Sequence, residues 1–101
     1  MELRSISGLI LRRAMFAVLL DAGGPLTVGE VVAALHAAGA TTSSWTDKPP
    51  HRVIADMLAY QVRAGRVRRR GRATYEVIPT SMSRSTQRRC RQWRTRLLHD
   101  P

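Results

Sequence analysis

Arginine is the residue type whose number and spacing in this chain could do chemistry. Six arginines fall within residues 63–72, and six more fall within residues 84–96. A guanidinium group is always charged, and its fork of donors matches the oxygens of phosphate groups. No nucleophile elbow, phosphate-binding loop or pair of carboxylates accompanies these arginines. The chemistry that they predict is therefore anion binding rather than catalysis.

The net positive charge lies entirely in the second part of the chain. Up to residue 62, five basic residues balance five acidic ones. From residue 63 onward, twelve arginines face only Glu76 and Asp100, which accounts for the whole formal charge of +10. A genome rich in arginine codons could raise the arginine content without purpose, but it does not explain a neutral first half. The one-sided charge therefore favours a polyanionic partner.

Length and composition exclude several classes of protein. The 101 residues suffice for one small domain with an appendage, and we expect no membrane-spanning segment. A single cysteine, Cys90, precludes an intrachain disulfide and fits a reducing cytoplasm. His36, His51 and His99 have no cysteine or acidic residue at ligand spacing, so we expect no metal and no cofactor. The few dispersed acids indicate neither an enzyme nor a small-molecule substrate.

Apolar periods in the first half predict the elements that would support the arginines. A helix is expected over residues 9–22, and two glycines and a proline end it. Leu26 is expected to form a strand of one or two residues. Thr27 and Glu30 have the spacing of a capping box, which opens a second helix that ends near Gly39.

A third helix is predicted in the middle of the chain. Asp47 could cap it, with Pro49 and Pro50 in its first turn, where a missing amide hydrogen costs nothing. The helix should run to about Ala64. Gly65 then lies where a left-handed C-terminal cap is needed.

A β-hairpin is predicted to follow the third helix. Val67 begins a short strand, residues 70–72 form the turn, and residues 74–78 form the return strand. Alternation places Arg68 and Arg70 on the face opposite Val67, so the tip of the hairpin is strongly cationic.

The order helix, short strand, helix, helix, hairpin resembles a winged helix-turn-helix domain of the bacterial regulator type. The most specific stretch is residues 53–77, VIADMLAYQVRAGRVRRRGRATYEV, and the resemblance covers residues 9–79. It implies a mainly α fold with a small β-hairpin (α+β): a three-helix core, a wing and an added C-terminal helix. One departure is the connection Gly39–Asp47, since the compact motif has a turn of only about 3–4 residues.

The resemblance implies binding to double-stranded DNA, with the third helix in the major groove and the wing on the minor groove or backbone. Arg52 could bind guanine, and Thr46 could hold a phosphate. In the alternative interpretation, Arg52 and Asp56 form an ordinary ion pair on a solvated helix, and the hairpin arginines only protect a sheet edge. The residues expected at DNA are Thr46, Lys48, His51, Arg52, Arg63, Arg66, Arg68, Arg69, Arg70, Arg72, Arg84, Arg88 and Arg91.

Residues 80–101 are predicted to be a separate basic amphipathic helix behind a domain of residues 1–79. Ser83 or Ser85 could cap the helix, which should run to about His99. Arginines at three neighbouring positions could lower the pKa of the cysteine on this helix, although a small apolar contact is its more ordinary role. An apolar stripe could dock on the same chain, pair two chains as a homodimer, or form only on nucleic acid; it consists of Cys90, Trp93, Leu97 and Leu98.

The sequence therefore favours a cytoplasmic, nucleoid-associated DNA-binding protein that acts as a transcriptional regulator or a nucleoid-type binder. Two alternatives stay open. The same arginines would serve an RNA-binding module. An interaction adaptor on the same scaffold would instead use Trp45 and the apolar stripe as its contact.

Overall fold

The computed structural model describes residues 3–42 and 47–95. Helices and small sheets alternate along the chain, which confirms the predicted α+β class. The elements in chain order are β1 (Arg4–Ile6), α1 (Gly8–Ala22), β2 (Leu26–Thr27), α2 (Val28–Ala37), β3 (Ala40–Thr42), α3 (Pro50–Arg63), β4 (Val67–Gly71), β5 (Thr74–Val77), a short 3₁₀ helix (Pro79–Ser81) and α4 (Arg84–Arg91).

The strands form two small sheets. An antiparallel sheet has the order β2-β5-β4, and a parallel pair joins β1 to β3. Sequence analysis predicted neither β1 nor β3, because each strand has three residues and too few positions to show a period of two. Ala40 and Thr42 of β3 are nevertheless buried, so part of the connection predicted as a polar loop belongs to the core.

Helix α1 provides one wall of the core and forms where its apolar period predicts. Leu11, Met15 and Leu19 lie one turn apart and are buried. The helix ends at Gly23, which has a left-handed φ of 66° that glycine adopts without a steric penalty. The predicted bounds of residues 9–22 differ from the observed helix by one residue.

Helix α2 begins with the predicted capping box. The Thr27 hydroxyl accepts from the Glu30 N–H at 3.1 Å, and the Glu30 carboxylate accepts from the Thr27 N–H at 2.8 Å. Two main-chain donors that the helix itself leaves without partners are thereby satisfied. The short strand predicted at Leu26 is also present, paired with β5.

Helix α3 begins differently from the prediction. Pro49 is the residue at the N-cap and Pro50 is the first helical residue, so the expected cap at Asp47 is wrong. The proline pair starts the helix because its fixed φ is already helical and a missing amide costs nothing there. Ile54 and Leu58 are fully buried, and Gly65 has the predicted positive φ, at 80°.

Strands β4 and β5 form the predicted hairpin with a different turn. Val67 pairs with Val77 and Arg69 with Tyr75, and the register then shifts before Gly71. The shift moves the turn to residues 72–73 instead of 70–72, and Ala73 takes a positive φ of 51°. The return strand ends at Val77, one residue earlier than predicted.

The C-terminal segment packs against α1. Ser83 caps α4 by accepting from the Thr86 N–H at 3.1 Å, as predicted for one of two serines. Helix α4 ends at Arg91, and residues 93–95 are again helical after a turn at Gln92, so the predicted helix is interrupted there; its last part, residues 96–99, lies outside the described residues. Cys90 and Trp93, on either side of Gln92, are both buried, so the described part of the predicted apolar stripe packs in the core of its own chain.

No helix within residues 3–42 and 47–95 combines the length and the apolar character that crossing a bilayer requires.

Candidate nucleic-acid interface

The outer strand of the hairpin, β4, carries three exposed arginines in succession. Val67 at its start is 2% exposed, while Arg68, Arg69 and Arg70 are all exposed. Arg68 lies opposite Glu76 in the register, and Arg70 contacts the same carboxylate at 3.7 Å. Both arginines therefore lie on the face opposite Val67, as alternation predicts.

Three of the six predicted hairpin arginines are held by other groups of the chain. Arg66 Nη1 donates to the buried Gln61 Oε1 at 3.2 Å, and Arg69 Nε donates to the carbonyl oxygen of Gly71 at 3.2 Å. Arg70 is the third, through its ion pair with Glu76. These contacts fix the direction of each guanidinium and still leave it other donors.

The other three arginines of residues 63–72 are Arg63 at the end of α3, Arg68 in β4 and Arg72 in the turn. All three are exposed, and none makes a side-chain hydrogen bond or ion pair to another residue in the described ranges. Charged groups without an internal partner repel one another and attract anions. They are therefore the guanidinium groups of residues 63–72 that are most available to an external phosphate.

Main-chain hydrogen bonds hold the tip of the hairpin in place. The Val28 N–H donates to the carbonyl oxygen of Ala73 at 3.0 Å, and β5 pairs with β2 beside it. Within the turn, the Thr74 hydroxyl donates to the carbonyl oxygen of Arg72 at 2.9 Å. The backbone that carries Arg72 is thus fixed to the first turn of α2.

The exposed face of α3 is only weakly basic. Lys48 Nζ lies 3.0 Å from one oxygen of Asp56, and Arg52 Nε lies 3.5 Å from the other. The ion pair of the alternative interpretation is therefore present. The hydrogen bond from Lys48, with the nearby charges of Lys48 and Arg52, lowers the pKa of the Asp56 carboxyl. This carboxylate stays ionised at neutral pH and offsets one of the two positive charges.

The first turns of α2 and α3 lie side by side. A Cβ atom built on Gly29 would lie 3.7 Å from the imidazole Nε2 of His51. Gly29 directly follows Val28, which is bonded to the hairpin turn. The predicted α3 residues and the hairpin tip therefore adjoin the same turn of α2. Sequence reasoning did not identify Gly29, although its place between the two residues of the capping box, Thr27 and Glu30, was visible.

Helix α4 presents a second group of arginines. Arg84, Arg88 and Arg91 are exposed and lie together with Gln87 along one surface of the helix. Arg91 Nε contacts Asp21 Oδ1 of α1 at 3.3 Å. No hydrogen bond or ion pair between described residues joins this surface to the hairpin, so the structure does not merge the two predicted groups into one site.

The apolar stripe of the tail is only partly described. Cys90 and Trp93 are 3% and 4% exposed and belong to the core of their own chain. Burial raises the pKa of the Cys90 thiol despite the opposing charges of Arg13, Arg12 and Arg91, so of the two roles considered from the sequence the structure favours the apolar contact. The residues of candidate contacts that lie outside the described ranges are Trp45, Thr46, Leu97 and Leu98, and His99 lies outside them as well.

Sequence reasoning missed one group of arginines. Arg12 and Arg13 of α1 line a pocket together with Arg66 and Arg89. The signal in the sequence was that the first two fall outside the apolar stripe of α1. Their convergence with residues more than fifty positions away depends on how α4 packs on α1, which the sequence pattern did not give.

No group of three or more His, Cys, Asp or Glu side chains within residues 3–42 and 47–95 could hold a metal ion.

Comparisons with protein-family models, curated proteins and solved structures found no match to this chain. Its function must therefore be inferred from its own residues.

Proposed function

We propose that this protein binds double-stranded DNA through a winged helix-turn-helix arrangement of α1, α2, α3 and the hairpin. The observation that carries the proposal is the hairpin itself. Arg68 and Arg72 of the hairpin, and Arg63 at the end of α3, have no internal side-chain partner in the described residues, and a main-chain bond to Val28 fixes the turn beside α2. Unpaired arginines on a rigid β-hairpin suit a narrow groove lined by phosphates.

The order of the elements supports the same arrangement. Strand β2 lies between α1 and α2 and pairs with the hairpin, and α3 directly precedes the hairpin. The parallel pair of β1 and β3 is an addition to the pattern and occupies part of the long connection before α3. In the proposed complex, α3 lies in the major groove with its first turn toward the bases.

Affinity would come mainly from the phosphates. Arg68 and Arg72 would contact the minor groove or the backbone, and α4 would add contacts through Arg84 and Arg88. About six neutralised phosphates would weaken binding about 10³-fold between roughly 50 and 200 mM salt. Because Asp56 engages both Lys48 and Arg52, base readout by α3 is weak and sequence specificity is modest. Such a protein would act as a nucleoid-type binder or a regulator of broad specificity.

A homodimer remains part of the proposal. Because Cys90 and Trp93 are buried in their own chain, a second copy would have to use other residues of the tail. Sedimentation of the free protein and of its DNA complex would measure the stoichiometry.

Fluorescence anisotropy with a labelled duplex tests the proposed function. Replacing Arg68 and Arg72 with glutamine should weaken binding at least about tenfold at low salt, because each removes a phosphate contact. The matched control replaces Arg4 and Arg12 with glutamine. These two exposed arginines lie outside the proposed interface, so the control should change the affinity for the duplex by less than about threefold. Equal losses of affinity in both double variants would contradict a defined interface. If structured RNA competes with the duplex and binds more tightly, the ligand is RNA and the proposal of DNA binding is wrong.

A further inference from the structure

A pocket of about 210 Å³ lies where α1, α4 and the start of β4 meet. Four arginines line it: Arg12 and Arg13 from α1, Arg66 before β4, and Arg89 from α4. These residues come from three separate parts of the chain, so the concentration of charge is a product of the fold and not of a run in the sequence.

None of the four guanidinium groups is neutralised by a carboxylate in the part of the chain that the structure describes. The ion pairs there join Lys48 and Arg52 to Asp56, Arg70 to Glu76, and Arg91 to Asp21. Like charges around one concave surface repel one another, and an anion bound between them would remove that cost.

One of the arginines is held in position. Arg66 Nη1 donates to the side-chain oxygen of Gln61, which is itself 2% exposed. The bond uses one of the five donors of the guanidinium and leaves the others for a ligand. A guanidinium fixed by a buried partner loses less side-chain entropy when it binds an anion.

The floor of the pocket is apolar. Phe16, Met82 and Cys90 are buried beneath it, at 3%, 9% and 3% exposure, and the half-exposed Leu9 stands at its edge. A phosphate of a nucleic-acid backbone would gain nothing from this floor. An anion with an apolar body would bury its body on Phe16 and Met82 and direct its charge to the rim of arginines.

The volume limits the size of such a ligand. An apolar cavity of about 150 Å³ holds benzene, whereas pockets for drug-sized ligands begin near 300 Å³. The pocket of about 210 Å³ therefore suits one ring or a short alkyl chain together with a single charged group.

We propose that this pocket binds a small amphipathic organic anion, in which one carboxylate or phosphate monoester is attached to a single ring or short alkyl body. The guanidinium groups of Arg12, Arg13, Arg66 and Arg89 hold the anionic group, and Phe16 and Met82 contact the body. The site is distinct from the proposed DNA contacts of Arg68 and Arg72, and it stands whether or not the protein binds DNA.

Isothermal titration calorimetry with four probes tests this proposal. Benzoate and phenyl phosphate carry both a ring and a charge, and comparing them distinguishes a carboxylate ligand from a phosphate ligand. Inorganic phosphate carries only the charge, and benzyl alcohol carries only the ring. At least one of the two aromatic anions should bind one site saturably and at least about tenfold more tightly than the other two probes.

Single substitutions locate the site. Arg12→Gln and Arg89→Gln should each weaken the aromatic anion at least about fivefold, because each removes a charge-assisted hydrogen bond. Arg88→Gln is the matched control, since Arg88 is the neighbouring arginine on α4 and does not line the pocket. Leu9→Ala should weaken the aromatic anion and leave binding of inorganic phosphate unchanged.

All four substituted side chains are exposed, and circular dichroism would verify that the variants fold. The proposal is overturned if neither benzoate nor phenyl phosphate binds saturably, or if inorganic phosphate binds as tightly as the better of these two anions. It is also overturned if Arg88→Gln weakens binding of the aromatic anion as much as Arg89→Gln does. Duplex binding measured on the same variants is a separate readout, so failure of the DNA proposal and failure of this one are distinguishable.

Discussion

The main-chain N–H of Val28 donates a hydrogen bond of 3.0 Å to the carbonyl oxygen of Ala73. Val28 is the first residue of α2, and Ala73 lies in the turn of the hairpin. The bond extends the pairing of β2 with β5 by one step and fixes the turn that carries Arg72 to the first residue of α2.

The backbone at Ala73 provides a direct test of the hairpin turn. Ala73 has a φ of 51°, which costs an L-residue about 1–2 kcal/mol relative to glycine. Ala73→Gly should therefore stabilise the protein, by up to about 1 kcal/mol once the greater freedom of the unfolded chain is subtracted. Gly65 has a φ of 80° with open space around it, so Gly65→Ala should have the opposite sign and destabilise by about 1 kcal/mol. Urea unfolding measures both, and a loss of stability in Ala73→Gly would contradict this turn.

The capping box gives a prediction about pH. Hydrogen bonds from the backbone and side chain of Thr27 lower the pKa of the Glu30 carboxyl below its ordinary value of 4.5. A carboxyl whose pKa is lower when folded contributes stability above the unfolded pKa, and the contribution disappears as pH falls through the folded pKa. The stability gap between the wild type and Glu30→Gln should therefore be present at pH 7 and close as the pH falls below the ordinary value of 4.5 and through the lower folded pKa. Urea unfolding across this range measures the gap, and a gap that widens in acid would refute the cap.

Asp56 should oppose DNA binding. Its carboxylate lies within ion-pair distance of Lys48 and Arg52, and it would face phosphates in the proposed complex. Asp56→Asn should raise affinity for a duplex several-fold at low salt, because one repulsive charge is removed from the face of α3 that would meet the phosphates. Asp21→Asn, which removes the same charge beside α4, should have a smaller effect. Anisotropy titrations compare the two, and weaker binding by Asp56→Asn would contradict a groove-facing α3.

Trp93 tests whether the C-terminal segment is part of the folded core. The side chain is 4% exposed and packs in the same cluster as α1. Trp93→Ala should destabilise the protein by about 3–5 kcal/mol, as removal of a buried tryptophan generally does. Urea denaturation measures the change. A loss below about 1 kcal/mol would show that the segment is not docked in solution.

Much of the fold could be predicted because local signals agree with the tertiary structure. Thr27 with Glu30 marks a helix start, and Gly65 marks a left-handed cap. The prediction placed the cap of α3 at Asp47 because aspartate is a good capping residue, whereas the N-cap is Pro49, two positions later. Strands β1 and β3 were missed because three-residue strands are specified by their long-range pairing and not by their own composition.

The candidate site was harder to predict for a related reason. A run of arginines shows where charge is concentrated but not which guanidinium groups the fold engages. Arg66 and Arg70 contact Gln61 and Glu76, and only the three-dimensional structure distinguishes them from Arg68, which has no such side-chain contact among the described residues. The pocket that joins Arg12 to Arg89 arises from the packing of α4 on α1, for which the sequence carries no local signal.

The salt dependence of duplex binding tests the central claim most directly. For the wild type, the logarithm of the association constant should fall linearly with the logarithm of salt concentration, with a slope of about −5 for roughly six phosphate contacts. Replacing Arg68 and Arg72 with glutamine should make that slope less steep by about 2, one for each lost contact. A wild-type slope near zero, or a slope that the double variant leaves unchanged, would contradict binding of DNA phosphates by this hairpin.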